Sequence, residues 1–388
     1  MEFRNPYKDH IIINALMRGG IVPEEVCQKL SEWVGVGYNT CFDCLEGRSS
    51  LCHKPPVKKH LENVAAFFGA DAAEHTFGAR GAQFAVMRTI AEFVIENEDY
   101  CPTIIIDPNS HYSTNIAAEM CGLETIEPPH SGYPEYLIDG QDFQKKIEET
   151  KSREGKLPGL VVVTHADPYY GNIAEVEEIG RICEGYEVPL MVNAAYTGGV
   201  MPINIHLMKA DFLTLSAHKS MMSVAPLGYV VTTYKWAKRL FATSEAKPSW
   251  SGRRFGKKIP NIFGCSIGGL PLISSMLSFD YVQERVKHWD DELIKINKFV
   301  DDLEELGDIM LLGQRPHQHH LLHFETPKFW EISQHHRKKG FFLADGMIER
   351  GIVGLHRGMS KHIKLSVYGL SNEEIEKVKE AFYEIAKT

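Results

Sequence analysis

The sequence has no apolar run that approaches the length of a membrane-spanning helix. Its first apolar stretch, residues 11–13, is too short for the core of a signal peptide. Internal repeats and low-complexity segments are also missing. We therefore expect a cytoplasmic protein that has no membrane partner.

Cysteine is sparse, with 8 among 388 residues, too few for a disulfide scaffold in a chain of this length. Basic residues are fewer than acidic ones, 42 against 51, and the formal net charge is -9. This charge argues against a nucleic-acid binder that uses its whole surface, but it allows a local basic patch. The hydrophobic share of 44% is typical of a globular chain with a full core.

Between about residues 60 and 235, short apolar runs alternate with helical patterns. The runs are rich in Val, Ile and Leu and lack polar alternation, which is typical of parallel strands buried on both faces. They cover residues 103–107, 159–164, 189–193, 212–216 and 228–232. Helical patterns cover residues 57–68, 113–122 and 173–184. The alternation predicts an α/β domain with a mainly parallel sheet flanked by helices.

The pattern changes near residue 270. One long amphipathic helix is predicted over residues 279–306, followed by strands over 321–325 and 363–368 and helices over 331–338, 343–350 and 373–386. Strands and helices that do not alternate strictly indicate a smaller α+β domain. We therefore expect an N-terminal arm with a cysteine cluster (1–59), a large domain (60–272) and a small C-terminal domain (273–388).

Lys219 is the most informative residue. The predicted strand over 212–216 is followed by a polar turn that presents Ser216, His218 and Lys219. A lysine just past a buried strand can be desolvated, which lowers its pKa and makes its amine nucleophilic, as Schiff-base chemistry requires. For a lone lysine, a solvated loop position would be the better interpretation.

Three further features favour the functional interpretation. Asn193 ends a predicted strand, where α/β sheets bind ligands. The turn Gly78-Ala79-Arg80-Gly81 precedes a helical pattern, so that backbone N–H groups at a helix start could hold a phosphate. His111 follows another predicted strand and could stack on a flat ring. Each signal is weak alone, and their order along the chain makes them stronger together.

This combination resembles fold-type-I pyridoxal-phosphate enzymes of the cysteine-desulfurase type. It resembles the archaeal O-phosphoseryl-tRNA:cysteinyl-tRNA synthase family more closely, over almost the whole chain. The matching segments are Met17-Arg-Gly-Gly-Ile21, Cys41-Phe-Asp-Cys44, Pro55-Pro56, Gly78-Ala-Arg80, His111-Tyr112, Thr164-His-Ala-Asp167, Tyr170-Gly-Asn172, Asn193-Ala-Ala-Tyr196, His218-Lys-Ser-Met221, Gly264-Cys265, Gly340-Phe-Phe342 and Ser366-Val-Tyr-Gly369.

The resemblance implies a pyridoxal 5'-phosphate cofactor that is bound to Lys219. It implies that His111 stacks on the cofactor ring, that Asn193 faces the ring nitrogen and that Tyr196 lies near the ring hydroxyl. The cofactor phosphate and its surroundings would be held by Ala79, Arg80, Ser216, Ala217 and His218. Asp167 and Asn172 would line the substrate side. Arg80, Arg357 and Lys364 are candidate partners for a leaving phosphate, since a phosphate needs cationic groups.

The resemblance also implies that Cys41, Cys44 and Cys265 meet at the active site. They would carry a persulfide or ligate an iron–sulfur cluster, with Cys52 undecided as a further ligand. Small buried apolar side chains are the alternative interpretation of free cysteines. We expect this structural role for Cys27, Cys101, Cys121 and Cys183.

Residues 247–258 combine five basic side chains with Trp250 and Phe255. Such a mixture suits phosphate contact and base stacking, and a solvated surface loop is the alternative. The resemblance favours tRNA contacts, for which the candidates are Arg253, Arg254, Lys257 and Lys258.

The implied reaction is a β-replacement that converts O-phosphoseryl-tRNA(Cys) and a sulfur donor into cysteinyl-tRNA(Cys) and phosphate. The implied assembly is a homodimer, with phosphoseryl-tRNA synthetase and an accessory bridging protein as partners. Phe77, Gly81 and Gly268 depart from the family pattern, which has His, Glu and Arg there, and these departures put the substrate in doubt. The alternatives are a cysteine desulfurase or a lyase for another β-substituted amino acid, and an inactive binding module for tRNA or a protein partner.

Overall fold

A computed structural model describes residues 7–34, 57–252, 256–259 and 269–387. Within these residues the strands are β1 (Ile11–Ile12), β2 (Ala72–Thr76), β3 (Tyr100–Ile106), β4 (Glu124–Ile126), β5 (Leu157–Thr164), β6 (Leu190–Asn193), β7 (Phe212–Leu215), β8 (Gly228–Thr232), β9 (Met310–Leu312), β10 (Leu322–Glu325), β11 (Ile352–Val353) and β12 (His362–Leu365). The α-helices are α1 (Glu24–Val34), α2 (Val57–Phe67), α3 (Gly78–Glu96), α4 (Tyr112–Met120), α5 (Gly140–Glu154), α6 (Val176–Tyr186), α7 (Ala217–Ser220), α8 (Tyr234–Leu240), α9 (Gly269–Val286), α10 (Trp289–Glu304), α11 (Pro327–His335), α12 (Phe342–Glu349) and α13 (Asn372–Ile385).

The larger sheet has seven strands in the order β2-β8-β7-β6-β5-β3-β4. The strands from β7 to β4 are parallel, and β8 is antiparallel to both β7 and β2. Alternate residues of β5 pack into two core clusters, with Val161 and Val163 in one and Leu160 and Val162 in the other. Helices therefore cover both faces of the sheet, which confirms the α/β prediction.

The edge strand β2 is absent from the sequence-based prediction. Its residues include Glu74 and His75, whose polar side chains are typical of exposed or loop segments. Both side chains are fully buried, with Glu74 bonded to His75 and to Lys257. Because these polar groups pair with one another, the strand can be buried without an apolar pattern, and a prediction based on apolar residues therefore misses it.

The single long helix predicted over residues 279–306 is wrong. The chain forms α9 and α10, with a turn at Lys287 and His288 between them. Phe279 on α9 packs in a core of the larger sheet, whereas Phe299 on α10 packs in a separate C-terminal core. One straight helix would not direct its apolar face at both cores, and three acidic residues in the first turn of α10 favour a new helix start.

The second sheet has the antiparallel order β12-β10-β9. Strands β10 and β12 correspond to the two predicted C-terminal strands, although β12 ends three residues earlier than expected. Near the N-terminus, β1 pairs in parallel with β11, and Ile13 packs in the C-terminal core. Among the described helices, none combines the length and apolar character that crossing a bilayer requires.

Candidate active site

Lys219 lies beyond the carboxyl end of the parallel strands. β7 ends at Leu215, and Ser216 precedes the short helix α7, which contains Lys219. The neighbouring strand β6 ends at Asn193. Because parallel strands end at one edge of a sheet, the fold brings Asn193 and Lys219 to the edge where α/β sheets bind ligands.

The amine of Lys219 is held against Tyr196. Its Nζ lies 3.1 Å from the Tyr196 hydroxyl and 4.4 Å from the centroid of the tyrosine ring. Burial, with the positive charge of Arg80 as a second cause, lowers the pKa of Lys219 to about 8. More of this amine than of an ordinary lysine amine is therefore neutral and nucleophilic near neutral pH.

The N-terminus of α3 forms the opposite side of the site. Gly78 has a φ of +75°, and a Cβ at this residue would lie 3.3 Å from Cε1 of His218. A Cβ at Gly228, where β8 begins, would lie only 2.8 Å from the backbone nitrogen of Ala79. Glycine at both positions therefore lets three segments meet around the first N–H groups of a helix, where anions bind favourably. Arg80 adds a positive charge in the same turn.

His111 is held by a short relay of polar groups. Its Nδ1 lies 2.8 Å from the Ser113 hydroxyl, which donates a hydrogen bond of 3.0 Å to Oε1 of Gln83. Burial is the main cause that lowers the pKa of His111 to about 4, with the charges of Lys219 and Arg80 acting in the same direction. The ring is therefore neutral at physiological pH, and its contacts fix its plane.

Asn193 supplies a neutral amide at the end of β6. The residue is buried, and its Oδ1 accepts a hydrogen bond of 3.2 Å from the backbone N–H of Ala195. An amide can hydrogen-bond to a ligand nitrogen, but it cannot stabilise a positive charge there as a carboxylate does. The site therefore offers hydrogen bonding without a counter-ion at this position.

These groups surround one cavity of about 320 Å³. Its lining includes eight of the nine residues that the family resemblance assigns to the cofactor, namely Ala79, Arg80, His111, Asn193, Tyr196, Ser216, His218 and Lys219. The ninth, Ala217, is fully buried and is not part of the lining. The lining also includes residues for which the sequence predicts no role, namely Gln83, Ser113, Thr164 and Pro226. The sequence could have indicated Gln83, because it lies three residues after Arg80, about one helical turn along α3, and is therefore on the same face of that helix.

Asp167 and Asn172 line a neighbouring cavity of about 180 Å³ instead. The Asp167 carboxylate accepts three backbone N–H bonds within its own loop, from Tyr169, Tyr170 and Asn172. The Asn172 amide bonds to the backbone of three other loop residues: Glu135, Tyr136 and Gln314. The structure therefore places both side chains in a loop scaffold beside the Lys219 cavity rather than in its lining.

The two remaining cationic candidates occupy different places. Lys364, on β12, donates a hydrogen bond of 3.1 Å to the carbonyl oxygen of Pro168, which lines the Lys219 cavity. Burial lowers the pKa of Lys364. Arg357 is exposed and donates two hydrogen bonds to Asp345. Of these two residues, only Lys364 therefore directly contacts the cavity lining.

Several predicted site residues lie outside the described part of the chain: Cys41, Cys44, Cys52, Cys265, Arg253 and Arg254. Of the predicted tRNA contacts that are described, Lys258 is exposed, and Nζ of Lys257 lies 2.6 Å from the buried carboxylate of Glu74. Within the described residues, no group of three His, Cys, Asp or Glu side chains is placed to hold a metal ion.

The remaining cysteines differ in burial. Cys101 and Cys183 are buried, as a structural role requires, and Cys121 is partly buried. The expectation of a buried Cys27 is wrong, because Cys27 lies on an exposed position of α1. Only Val26 and Leu30 of this helix are buried, and its first two residues are acidic, so the helix buries one narrow face. Cys27 follows Val26 and therefore lies off that face and points outward.

The seven-stranded sheet and the lysine cavity define the fold of fold-type-I pyridoxal-phosphate enzymes. A structure of a cysteine desulfurase from Thermococcus onnurineus NA1 matches with a TM-score of 0.76 at 19% identity, covering 100% of this chain and 99% of that chain. A structure of a SepCysS–SepCysE N-terminal domain complex matches with a TM-score of 0.85 at 35% identity, covering 99% and 96%.

Sequence comparison identifies the family within the class of fold-type-I pyridoxal-phosphate enzymes. Residues 97–387 match the family model described as O-phosphoseryl-tRNA(Sec) selenium transferase, SepSecS. O-phospho-L-seryl-tRNA:Cys-tRNA synthase 2 of Archaeoglobus fulgidus is 44% identical, covering 100% of this chain and 97% of the relative. The corresponding synthase of Methanopyrus kandleri is 36% identical, covering 99% and 96%. The chain belongs to this family of O-phospho-L-seryl-tRNA:Cys-tRNA synthases.

Proposed function

We propose that the protein converts O-phosphoseryl-tRNA(Cys) and a sulfur donor into cysteinyl-tRNA(Cys) and phosphate, with pyridoxal 5'-phosphate as cofactor. The observation that carries the proposal is the buried amine of Lys219, whose lowered pKa suits a nucleophile and a base, opposite a helix start that suits a phosphate. The names of the relatives supply the substrate class, which the cavity geometry leaves open.

The lining of the Lys219 cavity fits the cofactor. Gly78 and Gly228 leave a cradle that a Cβ would fill, and Arg80 supplies positive charge beside it. The flat ring of His111, the amide of Asn193 and the hydroxyl of Tyr196 would hold the cofactor ring. When bound, the cofactor supplies an aldehyde that links covalently to amines and a conjugated ring that withdraws electrons.

Lys219 is then the general base and acid of the reaction. Its Nζ would take the proton from the substrate α-carbon and later return it, as its pKa of about 8 permits at neutral pH. The Tyr196 hydroxyl, 3.1 Å away, would orient the amine between these two roles. In the net change, the bond from the β-carbon to the phosphate oxygen breaks, and a bond from the β-carbon to sulfur forms.

The leaving phosphate requires positive charge near the β-carbon. Arg80 lines the cavity, and Lys364 contacts its lining through Pro168. We assign Lys364 to the substrate side, and we assign Arg357 to it on resemblance alone, since its guanidinium is paired with Asp345. Asp167 and Asn172 would shape this side through their loop rather than by direct contact.

The sulfur would come from sulfide or from a persulfide on Cys41, Cys44 or Cys265. With a persulfide, the product is first joined to that cysteine by a disulfide, and a second of the three thiols would reduce this bond, leaving a disulfide between the two enzyme cysteines. The same three thiolates could instead ligate an iron–sulfur cluster, since cysteine thiolates are the usual ligands of such clusters. The two roles differ in iron content and in sulfane sulfur. Chemical assay of both in protein purified without oxygen would therefore distinguish them.

For the assembly, we propose a homodimer that works in the cytoplasm with charged tRNA. A protein partner is supported by the matched structure of a SepCysS–SepCysE N-terminal domain complex. Phosphoseryl-tRNA synthetase would be a second partner, because it would supply the substrate. Sedimentation of the purified protein, alone and with each partner, would measure these associations.

The two alternatives differ in the reaction catalysed. A cysteine desulfurase would release sulfur from free cysteine, and an inactive module would bind tRNA without chemistry. Phe77 is exposed at the cavity, where the resemblance leads us to expect His, and this departure favours a changed substrate. The cysteine desulfurase match stands at 19% identity and therefore supports only the fold.

One assay discriminates among these functions. The cofactor-loaded protein is incubated with phosphoseryl-tRNA(Cys) and sulfide, and in parallel with free cysteine, and cysteinyl-tRNA and released sulfide are measured. We expect cysteinyl-tRNA in the first reaction, abolished by Lys219→Ala and unaffected by Lys156→Ala, which removes an exposed lysine. Sulfide release from cysteine without cysteinyl-tRNA would support the desulfurase. Colourless protein in which borohydride fixes no cofactor on Lys219 would contradict both enzymes.

A further inference from the structure

Aromatic rings form a continuous stack beside the Lys219 cavity. Tyr136 and Tyr170 are stacked with ring centroids 4.0 Å apart and an interplanar angle of 3°. His323 continues the stack on Tyr170 at 5.6 Å and 10°. Tyr133 contacts the edge of Tyr136, and Tyr169 contacts Tyr170 at a tilt. We call these five residues the aromatic ladder.

The ladder joins the two sheets. Tyr133 and Tyr136 belong to the loop before α5, Tyr169 and Tyr170 to the loop after β5, and His323 to β10. Backbone and side-chain bonds fix these loops, since Tyr169 donates its N–H to Asp167 and its carbonyl accepts from His323. The rings are therefore held in place and do not need to be ordered by a ligand.

Two rings of the ladder remain open to solvent. Tyr133 is 61% exposed and Tyr169 is 42% exposed, whereas the three stacked rings are partly buried. Large exposed aromatic side chains gathered on one surface are typical of binding sites. The open rings stand on a rigid aromatic base, which suits stacking of further flat groups.

Positive charge accompanies the open rings. Nζ of Lys364 lies 5.3 Å from the ring centroid of Tyr169. Lys364 is paired across the strands with His323, and Lys361 precedes the same edge strand. Two acidic residues lie near the rings: Glu325 accepts a hydrogen bond from the hydroxyl of Tyr133, and Glu135 is exposed in the loop that contains Tyr133 and Tyr136. Rings and lysine charge together suit a polyanion with flat groups.

The ladder also leads to the reaction site. Pro168 lines the Lys219 cavity, precedes Tyr169 and accepts a hydrogen bond from Lys364. A ligand on Tyr169 is therefore one residue from the cavity wall.

We propose that the aromatic ladder and Lys364 bind the single-stranded 3'-terminal nucleotides of the tRNA substrate, with bases stacked on Tyr169 and Tyr133. The inference rests on the proposed function for the identity of the substrate. Base stacking on aromatic side chains accepts every base, so this surface would hold the strand without reading its sequence. Such a platform positions the terminal aminoacyl ester at Lys219, independently of contacts to the tRNA body.

The test compares two uncharged RNA hairpins that share one acceptor-stem duplex. One ends in four unpaired 3' nucleotides and the other is blunt. Each is titrated into the cofactor-loaded protein and followed by fluorescence anisotropy. Since one stacked base contributes about 5- to 150-fold in affinity, we expect the overhang hairpin to bind about tenfold more tightly. Tyr169→Ala and Tyr133→Ala should each remove most of this preference and leave the blunt hairpin unaffected.

Three further variants sharpen the result. Tyr169→Phe keeps the ring and should keep the preference. Tyr234→Ala removes a tyrosine of 78% exposure on α8 and should leave both affinities unchanged. Lys364→Gln should flatten the salt dependence for the overhang hairpin by about 0.7 in log–log slope, as loss of one phosphate contact predicts.

The outcomes separate this inference from the proposed function. Equal binding of both hairpins, or a preference that survives Tyr169→Ala and Tyr133→Ala, would overturn the ladder while cysteinyl-tRNA formation could still be observed. Binding of neither hairpin nor a full tRNA(Cys) transcript would overturn the ladder and the tRNA substrate together. Loss of blunt-hairpin affinity in the tyrosine variants would show that the ladder binds the duplex instead.

Discussion

Arg285→Met should destabilise the protein by loosening the turn that contains Lys219. From α9, Nε of Arg285 donates to the carbonyl of Gly199 at 2.7 Å, and Nη1 donates to that of Gly19 at 2.9 Å. Its Nη2 donates to the carbonyl of Ser220, the residue after Lys219. One guanidinium therefore joins three segments that are far apart in the sequence.

The magnitude follows from these contacts. A hydrogen bond with a charged partner contributes ~1.5–3 kcal/mol, and three bonds from one side chain are not additive. Methionine fills part of the volume but leaves three carbonyls without this donor. We expect a loss of about 3–5 kcal/mol in the free energy of unfolding. Arg285→Lys should lose about half of this, because a single ammonium cannot reach all three oxygens with the geometry of a planar fork.

Urea unfolding monitored by tryptophan fluorescence measures this effect, with Arg88→Met as the matched control. Arg88 forms a surface pair with Glu92 at 3.1 Å, and its loss should cost less than about 0.5 kcal/mol. In the folded Arg285→Met protein, borohydride should also trap less cofactor on Lys219, because the turn is less rigid. A stability within about 0.5 kcal/mol of the control, with normal trapping, would refute the reasoning.

Three further predictions concern the site. Arg80→Gln should raise the pKa of Lys219 above about 8, because the positive charge of Arg80 disfavours the protonated amine. The pH dependence of amine labelling in cofactor-free protein measures this pKa, and an unchanged midpoint would contradict the prediction. Asn193→Asp should keep the cofactor absorbance but speed exchange of the substrate α-proton with deuterated water, because a carboxylate stabilises a protonated ring nitrogen; unchanged exchange counts against the assignment. Replacing Arg253 and Arg254 with Gln should weaken tRNA binding and reduce its salt dependence, and an unaltered salt slope would remove both from the interface.

That Asn193, His111 and Lys219 lie around one cavity could be predicted from the sequence, because they follow strand ends and a helix start. Asn193 is the last residue of strand β6, and Lys219 lies four residues after the end of β7; the sheet brings such positions together. His111 likewise follows β3 and begins α4. Each of these positions is defined by a strand or helix that is next to it in the sequence, so the sequence pattern is enough to locate it.

The substrate side could not be predicted in the same way. Asp167 and Asn172 lie in the expected loop, but only the structure identifies their carboxylate and amide as partners of nearby backbone groups. The aromatic ladder joins residues 133–136, 169–170 and 323. No spacing in the sequence relates these three segments, because their contact depends on how the second sheet packs against the first.

Lys257 illustrates how burial changes the meaning of a charged residue. It was predicted as a tRNA contact, yet its Nζ lies 2.6 Å from Glu74, whose other oxygen lies 3.1 Å from Nδ1 of His75. Burial acts to raise the pKa of Glu74, but His75 and Lys257 outweigh burial and lower it. A tRNA phosphate that took Lys257 would leave the buried carboxylate of Glu74 with His75 as its remaining charged partner, which would cost stability.

The same ion pair fixes the basic segment relative to the cofactor site. Glu74 and His75 lie on β2, which leads directly into the turn that begins at Gly78. Backbone pairing between Thr243 and Lys257 holds the segment from its other side. Lys257 therefore acts as an anchor that keeps residues 256–259 beside β2. Of the two lysines in residues 256–259, Lys258 is therefore the one that our proposal leaves for contact with tRNA, while Lys257 stays paired with Glu74.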